Sequence, residues 1–286
     1  MAAAGRDEDE ARRGGPEAVT PRDQDSEVAR TIAELEARER AEGYDPFGFK
    51  PSMLHRVLPL ARFLYRTYFR VETHGLQNVP QGRALLIANH SGQIPLDGMM
   101  IATAMLLDHR PPRMTRAMVE RWIPTLPFAS TFFARAGQVV GTPENARLLL
   151  ERGELLMVFP EGSRGISKTW HQRYQLTEFG LGFMRLALAT NTPIVPIGVI
   201  GAEEQIPTFY NAKRLAKLLH MPAVPVGPTL MMPLPVKYRI HFGEPMLFEG
   251  DPDEEDRVVR ARVDQVTGAI NDLLQRGLRE RQSLFV

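Results

Sequence analysis

The chain has 286 residues, of which 43% are hydrophobic and 24% are charged, which is typical of a globular protein. A formal net charge of +1 argues against a nucleic-acid-binding protein that relies on overall positive charge. Cysteine is absent, which excludes a disulfide framework, a thiolate nucleophile and a cysteine-ligated zinc site. We expect no secretory signal and no membrane span, because the N-terminus is polar and prolines interrupt the long uncharged runs.

The first 50 residues divide into two predicted segments. Residues 1–25 lack large apolar side chains and are predicted to form a disordered tail, since they cannot bury enough surface to offset the entropy lost on ordering. Residues 26–50 are predicted to form a short helix that ends near Glu42, followed by a linker rich in proline, glycine and aromatic residues. The apolar stripe of this helix is narrow, so we expect it to dock weakly or only on a partner.

Residues 51–70 are predicted to form an amphipathic helix, in which arginines alternate with dense apolar residues. A basic helix of this kind suits an anionic membrane surface. It equally suits packing on the domain's own core with the arginines in solvent. Two proline-bent apolar segments, 122–133 and 221–236, leave the same two alternatives open: contact with lipid, or a buried connection over the core.

From residue 71 onward, apolar segments of strand and helix character alternate, which favours one α/β domain over residues 71–286. The pattern predicts a mainly parallel central sheet flanked by helices. The predicted strands are 71–74, 84–88, 114–119, 137–140, 155–159, 194–200 and 236–242, and the predicted helices are 97–107, 143–152, 178–189 and 257–278.

A histidine follows the second of these strands. The run 84–88 reads as a buried strand and ends in Asn-His-Ser-Gly, with the histidine at position 90. Asp97 lies in the first turn of the helix that follows. A carboxylate on one nitrogen of His90 would fix its tautomer and leave the other nitrogen free to take a proton. A capped turn without catalytic meaning is the alternative for this stretch alone.

A second polar loop follows strand 155–159 and reads Pro-Glu-Gly-Ser-Arg-Gly. Its glycines allow backbone N–H groups to approach a ligand, and an arginine fork suits phosphate or carboxylate. We therefore predict an anion-binding pocket, for phosphate or carboxylate, that faces the histidine. The sequence contains no nucleophile elbow, P-loop or dinucleotide-binding pattern, which favours direct deprotonation of a substrate over a covalent intermediate. The predicted pocket residues are Glu161, Gly162, Ser163, Arg164 and Lys168.

The order of these blocks resembles the glycerolipid acyltransferases of the lysophosphatidic-acid acyltransferase type. The resemblance covers roughly residues 75–245 and rests on Asn89-His90…Asp97, the Phe159–Arg164 block and the later apolar block at 194–199. It implies that His90, oriented by Asp97, deprotonates an acceptor hydroxyl that attacks the thioester of acyl-CoA or acyl carrier protein. It also implies that Glu161, Gly162 and Arg164 hold the acceptor, often through its phosphate. It implies no further cofactor, and its expected partners are the acyl donor, a lipid acceptor and a membrane surface, without nucleic acid.

Two features depart from the usual pattern of that family. Six residues separate His90 from Asp97, where the family usually has four, and the segment 137–143 lacks the arginine expected after its glycine. The longer spacing resembles the mono- and diacylglycerol acyltransferase branch, so a neutral acceptor is an alternative to a lysophospholipid. A non-catalytic lipid-binding protein and a thioester hydrolase are the rival interpretations. The expected location is the cytoplasmic face of a membrane, as a peripheral protein.

Overall fold

The computed structural model of the protein describes residues 21–91, 95–120, 123, 129–212, 225–229 and 232–285. The helices are α1 (Pro21–Glu42), α2 (Ser52–Phe63), α3 (Leu96–Leu107), α4 (Ala129–Arg135), α5 (Pro143–Glu151), α6 (Ser163–Ile166), α7 (Gly182–Thr190) and α8 (Asp256–Glu280). The strands are β1 (Glu72–His74), β2 (Ala84–Ala88), β3 (Thr115–Val119), β4 (Val139–Val140), β5 (Leu155–Val158), β6 (Ile194–Ile200), β7 (Tyr210–Asn211), β8 (Pro225–Val226) and β9 (Arg239–Phe242).

Seven of the strands form one sheet in the order β1-β9-β6-β2-β5-β3-β4. The five strands from β6 to β4 run parallel, whereas β9 pairs with β6 in the antiparallel sense and β1 lies parallel to β9. This confirms the predicted single α/β domain with a mainly parallel sheet. The strand β2 lies between β6 and β5, so the polar loop that follows β2 begins near the centre of the sheet.

Helices cover both faces of the sheet, which explains why β2 and β6 are apolar and buried along their whole length. Alternate side chains of β2 point to opposite faces. Leu86 packs into a core with α1, α2 and α3, and Leu85 and Ile87 pack into a second core with α5, α7 and α8. The fold is therefore a three-layer sandwich, and its two cores fix the strand register that brings the polar loops together.

The N-terminal helix docks firmly, and the prediction of weak docking was wrong. Val28 and Ile32 of α1 are each only 2% exposed and join the core beside α2 and α3. Ion pairs extend the narrow apolar stripe: Asp25 lies 2.6 Å from the guanidinium of Arg62, and Glu27 lies 3.0 Å from that of Arg110. The helix also begins at Pro21, inside the segment predicted as a disordered tail; residues 1–20 lie outside the described residues.

The linker after α1 is held by a buried arginine that sequence patterns did not reveal. Arg116 of β3 is 1% exposed and lies 3.0 Å from the carboxylate of Asp45 and 3.1 Å from that of Glu154. Burial alone would raise the pKa of Asp45, but the hydrogen bond and charge of Arg116 outweigh it, so that pKa is lowered. Since Glu154 immediately precedes β5, this cluster lies at the end of the sheet opposite to the polar loops.

The predicted amphipathic helix 51–70 is α2 followed by a π-helical turn, Leu64–Tyr68. Leu54, Ala61 and Tyr65 are buried on the core, whereas Leu60 and Phe63 are 61% and 51% exposed. One face of this segment therefore packs on the core, and the other face leaves apolar side chains exposed, as contact with a membrane would require.

The other predicted elements agree with the structure to within a few residues at their ends. The helix predicted at 178–189 begins at Gly182, and the strand predicted at 236–242 begins at Arg239. Half of the segment 122–133, namely residues 122 and 124–128, lies outside the described residues, as do residues 221–224, 230 and 231 of the segment 221–236. Within the part of the chain that is described, no helix combines the length and apolar character needed to cross a bilayer.

Candidate active site

The two polar loops meet because their strands are neighbours. The strands β2 and β5 are parallel and paired from Ala84↔Leu155 to Ile87↔Val158. Their carboxyl ends therefore open at the same edge of the sheet, where open α/β sheets place their ligand sites. His90 follows β2 by two residues, and the Pro-Glu-Gly turn follows β5.

His90 and Asp97 form a close pair across the loop that joins β2 to α3. The Nδ1 atom of His90 lies 2.7 Å from the Oδ2 atom of Asp97. The carboxylate of Asp97 is fully buried, while the imidazole of His90 is 16% exposed. A charged carboxylate at Nδ1 selects the tautomer with the proton on that nitrogen, so Nε2 is the nitrogen able to accept a proton.

Backbone groups hold Asp97 in place despite the long spacing. The N–H of Ser91 donates to Oδ2 at 2.9 Å, and the N–H of Gly98 donates to Oδ1 at 2.7 Å. The hydroxyl of Ser91 adds a third bond at 3.3 Å. These donors compensate the cost of burying the charge and fix the carboxylate against the histidine ring. Residues 92–94 of the loop lie outside the described residues.

Glu161 ties the β5 loop to the backbone of the histidine. Its Oε1 atom accepts the N–H of His90 at 2.9 Å, and its Oε2 atom accepts the N–H and the hydroxyl of Thr177, each at 2.9 Å. Lys168 approaches Oε2 at 3.1 Å. The carboxylate is 0% exposed, so all of these contacts are inside the protein.

Lys168 lies between two carboxylates. Its ammonium is 3.1 Å from Glu161 and 3.1 Å from Glu203, and its side chain is 6% exposed. Glu203 follows β6 and also accepts the backbone N–H of Tyr174 at 2.7 Å. Burial raises the pKa of Glu203, and the nearby charge of Glu161 adds to this rise while Lys168 opposes it.

The remaining predicted residues surround the turn after Glu161. Gly162 has φ = +54°, a conformation that favours glycine, and the N–H of Ser163 donates to Glu120 at 3.2 Å. The guanidinium of Arg164 is 55% exposed, donates to the carbonyl of Glu178 at 2.8 Å and lies 3.6 Å from its carboxylate. The structure thus brings all the predicted residues to one edge, with Glu161 and Lys168 buried and Arg164 at the surface.

Comparisons with known proteins identify the family of this chain. A family model described as Acyltransferase matches residues 70–200, which include both polar loops. An uncharacterized protein of Mycobacterium leprae is 37% identical over 91% of this chain and 76% of its own length, and one of Mycobacterium bovis is 38% identical over 93% and 78%.

The chain belongs to the acyltransferase family. A chicken relative described as a DGAT1/2-independent enzyme synthesizing storage lipids is 25% identical over 69% of this chain and 58% of its own length. The crystal structure of the 1-acyl-sn-glycerophosphate acyltransferase PlsC from Thermotoga maritima shares the fold, with a TM-score of 0.54, 18% identity and coverage of 91% of this chain and 90% of that chain.

Two contacts of this acyltransferase site were not predicted from the sequence, although Phe159 and Asn89 belong to its motifs. The ring of Phe159 stacks on the ring of His90 with centroids 4.3 Å apart, which restricts the imidazole on the side facing β5. The amide of Asn89 bonds to both backbone groups of Val199, at 2.8 Å and 3.1 Å, and so fastens the histidine loop to β6. Glu203 was also missed, although its sequence position resembles that of Glu161: each is an acidic residue that follows a buried strand.

Gly165 permits the close approach of the two loops. A Cβ atom at this position would lie 2.9 Å from the Cβ of His90 and 2.9 Å from the Cβ of Glu161, a separation that requires one of the loops to move. We therefore predict that Gly165→Val lowers kcat for acyl transfer by about 10²-fold or more without removing any polar group, because displacements of about 1 Å at a catalytic group are this costly. Steady-state kinetics on the folded variant measures the effect.

The matched control for this substitution is Gly268→Ala in α8, where an added Cβ meets no atom within 4 Å. It should leave kcat within about twofold of the parent protein, since alanine also favours the helix. Normal kcat in a folded Gly165→Val protein would show that the two loops need not touch.

Proposed function

We propose that this acyltransferase moves a fatty acyl group from a thioester, either acyl-CoA or acyl carrier protein, to the hydroxyl of a glycerolipid. The observation that carries the proposal is the pair of His90 and Asp97, joined at 2.7 Å at the carboxyl edge of the sheet. It is the arrangement that general base catalysis on a hydroxyl requires. Membership of the acyltransferase family supports it independently.

The proposed reaction is a direct transfer. Nε2 of His90 takes the proton of the acceptor hydroxyl as that oxygen attacks the thioester carbonyl, and the buried carboxylate of Asp97 stabilises the imidazolium that forms. The carbon–sulfur bond then breaks, and the imidazolium returns the proton to the departing thiolate. The ester and the free thiol are the products, and no covalent acyl-enzyme is needed.

The charges around the turn favour a neutral acceptor, such as a mono- or diacylglycerol, over a phosphorylated one. The carboxylate of Glu120 already occupies the backbone N–H of Ser163. The ammonium of Lys168 is shared by two carboxylates, and the guanidinium of Arg164 bonds to Glu178. Among the described residues of this loop, each cation already has an anionic or carbonyl partner, and a phosphate would compete with that partner for the positive charge.

The exposed side of α2 supports contact with a membrane surface. Arg56, Leu60 and Phe63 lie at helical spacing on the exposed side of α2, opposite to the buried Leu54 and Ala61. An arginine beside apolar side chains that can enter the headgroup region is the arrangement of interfacial helices. Arg62 and Arg66 pair with Asp25 and Asp108, so we assign less of the electrostatic attraction to them.

The central test is acyl transfer by the purified protein and by His90→Ala. We expect the parent protein to release free thiol and to form a glycerolipid ester, identified by mass spectrometry. His90→Ala should lower kcat by about 10²–10⁴-fold, because a positioned base contributes that much. His171→Ala, at an exposed histidine outside the pair, is the matched control and should retain activity.

The products distinguish the rival functions. Free fatty acid in place of ester would identify a thioester hydrolase, and lipid binding without thiol release would identify a non-catalytic binding protein. Near-normal ester formation by folded His90→Ala would remove this histidine from the mechanism.

The choice of acceptor gives a second prediction. We expect kcat/KM to be higher for a monoacylglycerol than for the lysophosphatidate with the same acyl chain. Glu120→Gln should raise kcat/KM for the lysophosphatidate by about fivefold relative to the monoacylglycerol, since it removes one partly screened negative charge next to the phosphate. A parent protein that prefers lysophosphatidate would contradict the neutral-acceptor assignment while leaving acyl transfer intact.

Membrane contact is tested with vesicles. The double substitution Leu60→Ser and Phe63→Ser should lower the fraction of protein that co-sediments with anionic vesicles by about tenfold or more, because each buried apolar side chain contributes roughly 1.5–3 kcal/mol. The control is Leu148→Ser with Val258→Ser, which alters two exposed apolar side chains on the opposite layer of the sandwich. Equal sedimentation of both double variants would argue against α2 as the contact surface.

A further inference from the structure

Three buried charged side chains lie behind the histidine and form a continuous ion-pair chain, which we call the buried triad: Glu161, Lys168 and Glu203. Their side chains are 0%, 6% and 4% exposed. The ammonium of Lys168 is 3.1 Å from each of the two carboxylates. Burying three charges is costly, so such an arrangement needs full hydrogen bonding to persist.

The buried triad connects the loops that follow three adjacent strands. Glu161, after β5, accepts the backbone N–H of His90, after β2, at 2.9 Å. Glu203, after β6, receives the amide of Asn89 at 3.4 Å as well as the backbone N–H of Tyr174 at 2.7 Å. The first two residues after β2 are thus held by the triad: His90 through its backbone N–H and Asn89 through its side chain.

The triad also carries an excess of one negative charge, since two carboxylates share one ammonium. An excess charge in the interior is unfavourable unless a positive charge forms nearby. In the proposed reaction that positive charge is the imidazolium of His90, which forms when the hydroxyl proton is taken. Asp97 stabilises it through the ring nitrogen, and the triad adds a second negative potential at the backbone N–H of His90, which Glu161 accepts.

We infer that Glu203 is a positioning residue for His90: acting through Lys168 and Glu161, it fixes the histidine loop and favours the protonated imidazole during catalysis. This inference rests on the acyl transfer proposed above. It assigns a role to a residue outside both polar motifs, and it assigns Lys168 to the triad in place of direct contact with an acceptor phosphate.

Other charged groups around the histidine do not replace this effect. Asp97 from α3 and Glu161 from the β5 loop contact His90 directly, and Lys168 and Glu203 follow through the triad. Glu120 lies across the glycine turn, at the N–H of Ser163. Glu120 bonds to the exposed N–H of Ser163, where solvent screens its charge. Arg164 and Glu178 are more than half exposed, and Glu178 also pairs with Arg260, so solvent screens the charges of this group.

The test compares Glu203→Gln, which keeps the shape and removes the charge, with Glu203→Asp, which keeps the charge. Removing a negative charge should make the imidazolium of His90 easier to deprotonate. The acid limb of the kcat/KM profile should therefore move to lower pH by about half a unit for Glu203→Gln. Its kcat should fall by about threefold to tenfold. Glu203→Asp should restore the position of the acid limb.

Lys168→Gln should move the acid limb in the opposite direction, to higher pH, because it removes the only cation of the triad. The opposed signs distinguish an electrostatic role from mere loosening, which would lower kcat without moving the limb. Glu154→Gln is the matched control: it also removes a carboxylate from a buried ion pair, but at the other end of β5. Its acid limb should coincide with that of the parent protein.

The titration of His90 can be followed by nuclear magnetic resonance of the ring carbons without any substrate, with His90→Gln used for assignment. If the parent protein transfers no acyl group, the proposed function fails, but the opposed shifts in this titration still support the positioning role. Coincident titrations in the parent, Glu203→Gln and Lys168→Gln would overturn the inference. Should Glu203→Gln fail to fold, the direction of the Lys168→Gln shift decides alone.

Discussion

The site depends on one buried carboxylate that joins two strand-end loops. Glu161 leaves β5 and accepts the backbone N–H of His90 at the end of β2, while Thr177 and Lys168 satisfy its remaining lone pairs. A buried carboxylate with fewer partners would be strongly destabilising, so its burial requires these groups to be in place together. The position of the histidine backbone is therefore a consequence of the same contacts that make the fold stable at this edge.

The sequence predicted the fold class and the two site loops because these depend on local patterns. The apolar run of β2 is bounded by polar residues, and its predicted range 84–88 is the observed one. His90 and Asp97 are only seven positions apart, at a strand end and a helix start, so their proximity follows from local structure. Parallel strands then bring the β5 loop to the same edge.

The parts that sequence reasoning missed depend on contacts between distant segments. Asn89 and Glu203 are 114 positions apart, and Arg116 and Asp45 are 71 positions apart. No periodicity encodes such pairs, because they arise only when the order of strands is known. The prediction that α1 docks weakly was wrong for a similar reason. The narrow apolar stripe did not reveal the ion pairs that α1 makes with Arg62 and Arg110, which lie on other segments of the chain.

The spacing of six residues between the histidine and the aspartate does not separate the pair, and the reason lies in the backbone. The carboxylate of Asp97 is fixed by the N–H groups of Ser91 and Gly98, one on each side of the loop. Those two donors, together with the contact to Nδ1 of His90, fix the position of the carboxylate beside the histidine.

The helix proposed to contact the membrane, α2, lies in the same layer as α3, which carries Asp97. The buried face of α2 packs into the same core as α3, whose first turn carries Asp97. The other side of α2 exposes Leu60 and Phe63. A lipid acceptor held at that exposed side would therefore lie against the α1–α3 layer. Phe159, whose ring stacks on that of His90, packs against this same core. The core under α2 therefore also supports both partners of the histidine, Asp97 and Phe159.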